Sequence, residues 1–446
     1  MNTTSNENPS SLQTRRQFLG KTSAALAGAG LGLSLSPRAF AQAKGANEKI
    51  VFALIGCGGM GRANMGQMMS RPGVEMAAVC DVDETHLDKA SKEVTDAKRP
   101  APKRYKDFRD VLDRKDIDAV IIGTPDHWHA IPFIAACEAG KDIYCEKPIS
   151  HSFVEAKAML NAAKHFKPVV QIGTWQRSMK HFQEAINFAR SGKMGEIPVC
   201  RAWILGDGSS NIGHQTPSTP PATLDWDMWC GPAPKHGYQP NRCHVNWRWF
   251  YETGGALMTD WGVHMIDIVL LGMQQSDPIS VSAVGGKFVM DDDRDTPDIL
   301  QAVYQFPKFV MNWEQRYGNT RGLDGGRNHG SEFIGKNGTL MVDRTDYQYF
   351  PEKKEAELPP KCENTASTHW QNFLDCVKSR EKTRSDIESM AKTTMICHLG
   401  NIAFQCGKTV HWDAAKQDIV NHHDVKHCIS YEREYRKPWK LKMYKV

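Results

Sequence analysis

Four short groups of residues in this chain carry side chains or backbone able to do chemistry. The first is Gly56-Cys57-Gly58-Gly59-Met60-Gly61, directly after an apolar run. Gly56 permits a tight turn and Gly58 lets the backbone approach a pyrophosphate. Gly61 lets a following helix pack close to the strand, so that its free N–H groups face the anion. The spacing alone is a weak signal. It gains weight because Asp81 ends the next apolar run 20 residues after Gly61. An acidic side chain there accepts hydrogen bonds from ribose hydroxyls and repels a 2′-phosphate. NAD is therefore the expected cofactor, with NADP disfavoured.

The second group is Gly123-Thr124-Pro125-Asp126-His127-Trp128-His129, the third Glu146-Lys147-Pro148. Both follow apolar runs, and ligands sit at the C-terminal ends of parallel strands. The His-x-His pair could bind a metal. A non-metal role is preferred, because no third ligand with suitable spacing lies nearby. A lysine in the third group can donate to a substrate oxygen and stabilise charge on it; taken alone, the tripeptide reads better as a surface lysine at a strand exit. The fourth group runs from Gly254-Gly255 through Asp260, His264 and Asp267. On one continuous helix Asp260 and His264 share a face. A carboxylate beside an imidazole orients it and suits it to general base work. A lone Asp-x-x-x-His more often only satisfies polar contacts within a helix.

The surrounding pattern must position these groups. Apolar runs at 50–55, 74–80, 119–122, 143–145 and 169–172 alternate with helical spacing at 60–69, 84–94, 130–139 and 153–166. Strands apolar throughout, alternating with helices, imply a parallel sheet covered on both faces. From 195 onward the pattern changes. Residues 206–250 are rich in Pro, Gly, Asn and Trp without a clear period, which marks a long insertion with function of its own. Residues 255–271 read as one long helix. Strands follow at 279–289, 299–306, 309–315, 331–334 and 339–342, with Lys336-Asn337-Gly338 as a hairpin turn, then helices at 368–378 and 386–405. The expected fold class is α/β: a Rossmann domain over 49–175 and a second α/β domain over 176–446. The second has an open, mostly antiparallel sheet, and residues 414–446 form an extended arm on the body.

In their order, these motifs resemble the Gfo/Idh/MocA oxidoreductases over roughly residues 49–412. The match includes Thr-Pro-x-x-x-His, Glu-Lys-Pro, Gly-Gly-x-x-x-x-Asp-x-x-x-His and Phe-Ile-Gly-Lys-Asn-Gly-Thr-Leu. The resemblance implies a Rossmann domain, a C-terminal α/β domain, and dimers or tetramers formed through the second sheet. It implies Lys147, Asp260 and His264 as a catalytic trio acting on a sugar or polyol hydroxyl. It also implies that Gly59, Met60, Thr124, Pro125, His127, His129 and Glu146 line the cofactor with Lys147. Arg177 is placed to meet substrate beside His264. The Trp-rich stretch containing Trp247 resembles a secreted subgroup, in which Trp faces can pack on sugar C–H faces; each Trp could equally fill a core.

The N-terminus resembles a twin-arginine export signal. Arg15-Arg16, a Gly-diluted apolar stretch and Ala39-Phe40-Ala41 occur in the order such a signal needs, so residues 1–41 are expected to be removed in the periplasm. They hold four basic residues and one acidic, so the chain's net charge of +5 falls to +2 without them. That balance gives no argument for nucleic acid or a membrane surface as partner, and no apolar stretch is long enough to span a bilayer. The twelve cysteines show no zinc spacing, though export would permit a bridge such as Cys230 to Cys243. An exported dehydrogenase must keep and recycle its cofactor. The leading expectation is an NAD-dependent sugar or polyol oxidoreductase. The alternatives are redox-neutral glycoside cleavage or epimerisation through a keto sugar, and a non-catalytic sensor.

Overall fold

Strands β1 (Ile50–Ile55), β2 (Val74–Cys80), β3 (Lys103–Tyr105), β4 (Ala119–Ile122), β5 (Asp142–Cys145) and β6 (Val170–Ile172) form a parallel sheet in the order β3-β2-β1-β4-β5-β6. The computed structural model describes residues 49–206, 211–319, 321–323, 325–353, 359 and 368–446. The export-signal reading of residues 1–41 therefore lies outside the described residues. Every residue of β4 and β5 is buried, which is why these strands read as unbroken apolar runs. Short side chains start the covering helices. Asp83 accepts from Thr85 N, Asp107 from Arg109 N and Ser152 from Glu155 N, each satisfying an N–H that the helix leaves free. All the strands run the same way, so the loops after β1, β2, β4, β5 and β6 emerge at one edge. These loops carry the first three chemical groups.

The second sheet has nine strands: β7 (Val199–Leu205), β8 (Ser280–Gly286), β9 (Ile299–Gln305), β10 (Val310–Arg316), β11 (His329–Gly335), β12 (Gly338–Val342), β13 (Tyr347–Pro351), β14 (Val410–Asp413) and β15 (Asp418–Ile419). Their order is β13-β12-β11-β7-β10-β9-β8-β14-β15. The β7–β10 pair is parallel; the other pairs among the described strands are antiparallel. β9 and β10 alternate buried with more exposed residues, as a sheet with one covered face requires. The helix Gly262–Met273 lies on the covered face, where Ser331 Oγ donates to Met265 O at 2.8 Å. Lys336-Asn337 turns β11 into β12 as expected.

One expectation needs correction. The helix read over 255–271 is two helices, Ala256–Asp260 and Gly262–Met273. They are joined at Trp261, a turn residue between the two helices with φ −103° and ψ −32°. The second domain also packs on the Rossmann half. The helix His369–Ser379 buries Phe373, Leu374 and Cys376 among Phe52, Leu54 and Tyr144 of the Rossmann half. The C-terminal arm docks there too: Trp439 packs edge-on against Trp128 at 4.8 Å, and Arg433 Nε pairs with Glu155 Oε1 at 2.8 Å, both partners buried. The insertion also crosses back. Leu224 forms a bridge with Asp83, and Glu84 N donates to Thr223 O at 3.0 Å. Inside the insertion Trp226, Trp229, Trp247, Cys230 and Cys243 share a small core, with both thiols free. Among the described residues no helix is long and apolar enough to cross a membrane.

Candidate active site

The glycine loop forms the floor of a groove of about 340 Å³. Gly56 has φ +90°, and a Cβ there would lie 2.5 Å from Thr124 N. A Cβ on Gly61 would overlap the Gly56 carbonyl, so the helix Gly59–Met69 sits hard against β1. Gly58 and Gly59 have open space where a side chain would be. Gly58 caps this helix without a side-chain hydrogen bond, leaving its N–H groups for an anion. Asp81 lines the same groove. Its Oδ2 accepts from Cys57 N at 2.7 Å and its Oδ1 from Asp83 N at 2.9 Å, which fixes the carboxylate beside the loop. An open cradle at a helix N-terminus with a fixed acceptor beside it fits a dinucleotide without a 2′-phosphate.

Gly56, Gly58, Gly59, Met60, Asp81, Thr124, Pro125, Glu146 and Lys147 all line this groove. His127 and His129 do not. The helix Asp126–Glu138 begins one residue after Pro125. Asp126 and Trp128 take the groove side. His127 Nε2 lies 2.9 Å from Trp229 O, while His129 bridges Pro148 O at 2.7 Å and Thr124 O at 2.9 Å. Both histidines are buried and position loops. Burial pushes the His127 imidazole down to about 3, so it is neutral. Glu146 accepts from Asn64 Nδ2 at 2.7 Å, and Gly173 leaves it room, since a Cβ there would lie 2.5 Å from its Oε1.

Beyond the groove end, Lys147 Nζ reaches Asp260 Oδ1 at 2.5 Å and Asp260 O at 3.0 Å. The break at Trp261 explains a departure from expectation: the Asp260 carboxylate meets Lys147, with Arg248 Nε at 3.5 Å, and makes no direct bond to His264. Burial raises the Asp260 carboxyl, but Lys147 and Arg248 outweigh it and hold the group well below its ordinary range. His264 is buried and its Nδ1 has no hydrogen-bond partner. Burial, then Lys147 and Arg344, push its imidazole well below the ordinary value, with Asp260 opposing. The site thus pairs a fixed ammonium with a neutral imidazole. The first can donate to an oxygen and the second can accept its proton.

The two other residues expected to meet substrate stand in different surroundings. Trp247 borders the dinucleotide groove within the insertion's core, its ring 4.5 Å from the Arg248 guanidinium carbon. Arg177 is locked in the interior. Its guanidinium forks onto Asp267 at 2.7 and 2.5 Å and also reaches Ser389 Oγ at 2.7 Å. Thr393 Oγ1 completes the shell of Asp267 at 2.9 Å. Replacing Arg177 with Leu leaves a buried carboxylate uncompensated, which should cost ~3–5 kcal/mol. Denaturant unfolding at neutral pH measures that loss directly.

Sequence reasoning missed several site residues. Trp128, Arg248 and Arg344 lay in or near noticed motifs, but no spacing rule linked them to Lys147. The insertion carries Met228, Trp229, His244, Val245, Trp247 and Arg248 over the groove. His244 Nε2 ties it down through Asp83 Oδ2 at 2.9 Å. Asp83, His86 and His244 bring ligand-type atoms within 4.8 Å of one another, a grouping not visible from spacing.

Comparison with known proteins agrees with this geometry. The family description "Oxidoreductase family, NAD-binding Rossmann fold" matches residues 50–174, and "Oxidoreductase family, C-terminal alpha/beta domain" matches residues 207–441. An alpha-N-acetylgalactosaminidase from Shewanella oneidensis is 27% identical over 201 residues, covering 41% of this chain and 44% of that protein. The chain thus matches less than half the length of this curated relative. Two solved structures share the fold. A levoglucosan dehydrogenase in complex with NADH and L-sorbose has a TM-score of 0.61 at 19% identity, covering 82% of this chain and 99% of the other. The scyllo-inositol dehydrogenase of Lactobacillus casei, with bound NAD(H) and scyllo-inositol, gives 0.61 at 18%, with the same coverage. With both halves of its sequence matched, this chain belongs to the Gfo/Idh/MocA oxidoreductase family and carries that family's NAD-binding Rossmann fold.

Proposed function

We propose that the protein oxidises a CH–OH group of a sugar or polyol with a tightly held NAD. The observation that carries this reading is Lys147 Nζ, fixed on Asp260 at the end of the groove and next to the neutral His264. His264 takes the proton of the substrate hydroxyl. Lys147 hydrogen-bonds the same oxygen and stabilises the charge that develops there. Asp260 holds Lys147, and Arg248 pairs with its other carboxylate oxygen; Asp260 is a positioning residue for Lys147. A bound NAD would supply the acceptor for the hydride that leaves the same carbon.

The insertion supports retention of the cofactor, since it roofs the groove and is tied to Asp83, in the loop after β2, by His244 and the Leu224 bridge. A retained cofactor suits a protein exported already folded, the reading proposed for residues 1–41. Val284, Phe288, Val303 and Phe350 are exposed apolar residues on or beside the second sheet, which supports a homodimer or homotetramer formed through that face. The glycosidase relative favours a second reading: transient oxidation that acidifies a neighbouring C–H and releases a glycoside without net redox change.

The test is to denature the purified protein and identify the nucleotide it releases. Intact protein is then screened with sugars, polyols and glycosides for the absorbance of reduced nicotinamide. NAD release and reduction by a free sugar or polyol are expected. A glycoside cleaved without net reduction would promote the second reading. Absence of bound NAD, with none taken up on addition, would sink both.

A further inference from the structure

Where the insertion meets the helix Glu84–Asp96, two imidazoles and a carboxylate converge. His244, from the insertion, brings its Nε2 to 2.9 Å from Asp83 Oδ2. His86 stands in the first turn of the helix. Its ring lies 4.3 Å from that of His244, tilted by 53°, and its Nδ1 is 3.5 Å from Asp81 Oδ2. One ligand-type atom from each of Asp83, His86 and His244 lies within 4.8 Å of the other two. His244 holds its place at φ +59°, a left-handed backbone that favours glycine. None of the three residues takes part in the hydride-transfer scheme.

Two imidazoles with one carboxylate suit zinc and similar transition metals, whereas magnesium and calcium take oxygen ligands. Asp83 is prepared for the role. Its Oδ1 accepts from Thr85 N at 2.8 Å and from Thr85 Oγ1 at 2.7 Å. These outer partners fix the carboxylate and leave Oδ2 to the imidazoles. A tetrahedral zinc keeps its ligand atoms about 3.3 Å apart. The widest separation here therefore closes by at most ~1.5 Å, a small adjustment of side-chain torsions. The hydrogen bond between His244 Nε2 and Asp83 Oδ2 gives way to the metal, and its proton leaves to solvent. The Asp83 side chain is 4% exposed, those of His86 and His244 17% and 36%. The carboxylate is thus enclosed while the imidazoles reach solvent, which provides an entry path and a fourth position for water.

We propose that Asp83, His86 and His244 bind one divalent cation of the zinc class, which latches the insertion to the Rossmann half at the Asp81 end of the groove. Asp83 and His86 belong to the loop and helix after β2. His244 belongs to the roof, where Val245, Trp247 and Arg248 after it line the groove. A metal that joins the two sides must be released before the roof lifts, so it slows the departure of NAD. The cation's role is structural, and it moves no proton or hydride of the substrate. The site goes beyond the proposed oxidation and stands or falls without it.

The experiment uses the untagged, NAD-loaded full chain. Chelator-treated protein is titrated with zinc by calorimetry, with magnesium as the control. One equivalent of zinc is expected to bind, and no magnesium. His86→Gln and His244→Asn should each weaken zinc binding at least ~100-fold, beyond the roughly 10- to 100-fold cost of losing an outer partner. Asn tolerates the left-handed backbone at 244, and circular dichroism with NAD content confirms that both variants fold. Copper(II) on the unmodified protein should show two nitrogen ligands by electron paramagnetic resonance, a readout that needs no variant. NAD should leave the chelated protein severalfold faster than the zinc-loaded one. Absence of stoichiometric zinc binding, binding that both variants keep, or a copper spectrum without imidazole nitrogen would overturn the site. Zinc bound by these residues with no change in NAD release would overturn the latch. None of these results touches the oxidation reading, which nicotinamide reduction tests separately.

Discussion

Replacing Lys147 with Met should lower turnover ~10²–10³-fold, the usual cost of losing one donor aimed at a developing oxyanion, while the purified protein keeps its NAD. The reasoning starts from position. Lys147 follows β5 at the mouth of the groove, and its Nζ is held by both the side chain and the carbonyl of Asp260. The glycine cradle and Asp81 lie at the other end and do not depend on it. Met fills the volume of the alkyl stem but supplies no proton. The substitution also removes the nearest counter-charge of Asp260, leaving Arg248 at 3.5 Å, so some stability is lost with activity. Nucleotide release on denaturation and single-turnover reduction separate the two effects. An enzyme keeps NAD and loses reduction, whereas a non-catalytic sensor would keep its response. Reduction at the original rate in the Lys147→Met protein would remove this lysine from the mechanism.

The cofactor half was legible because its signals are local. Gly56 to Gly61 and Asp81 are read from turn geometry and from runs buried on both faces, and neither needs distant contacts. The substrate half was less legible because its residues meet only through tertiary structure. Asp260 and His264 looked like partners on one helix, and a break of one residue at Trp261 gave Asp260 to Lys147 instead. Arg177 sat after a strand end where ligands gather, yet Asp267, from the helix Gly262–Met273, captures it. Arg344 meets the Trp175 and Trp261 rings only because the hairpin between β12 and β13 folds back toward them. The alternation of the strands gives the sheet face, but not which arginine faces the base. The insertion defeated periodicity because it has little regular structure of its own; its aromatic core and its ties to the loop after β2 order it.

Buried histidines set the second large effect, a stability that falls as the medium is acidified below pH ~6.5, the unfolded histidine value. Burial pushes the imidazoles of His127 and His369 down to about 3 and that of His398 to about 4. All three are almost wholly enclosed. The folded state therefore refuses protons that the unfolded chain accepts, so their contribution is fully present above pH ~6.5 and is lost as pH falls toward the folded values. At pH 5 each costs the fold about 2 kcal/mol, and the three on the order of 6, comparable with the whole stability of many domains at ~5–15 kcal/mol. Asp126 and Glu146 act in the opposite direction, because burial raises their carboxyls. The net curve is shallower than the histidine sum for that reason. A variant isolates one of the three. His369 lies 3.0 Å from both Ile172 O and Ser178 Oγ, and Gln offers an amide of similar reach with no titration. Urea unfolding of wild type and His369→Gln at pH 7 and pH 5 should show the wild type losing about 2 kcal/mol more between the two conditions. The constant cost of the substitution cancels in that difference. Equal losses in the two proteins would mean that His369 is protonated in the fold, and the acid sensitivity would then belong to other groups.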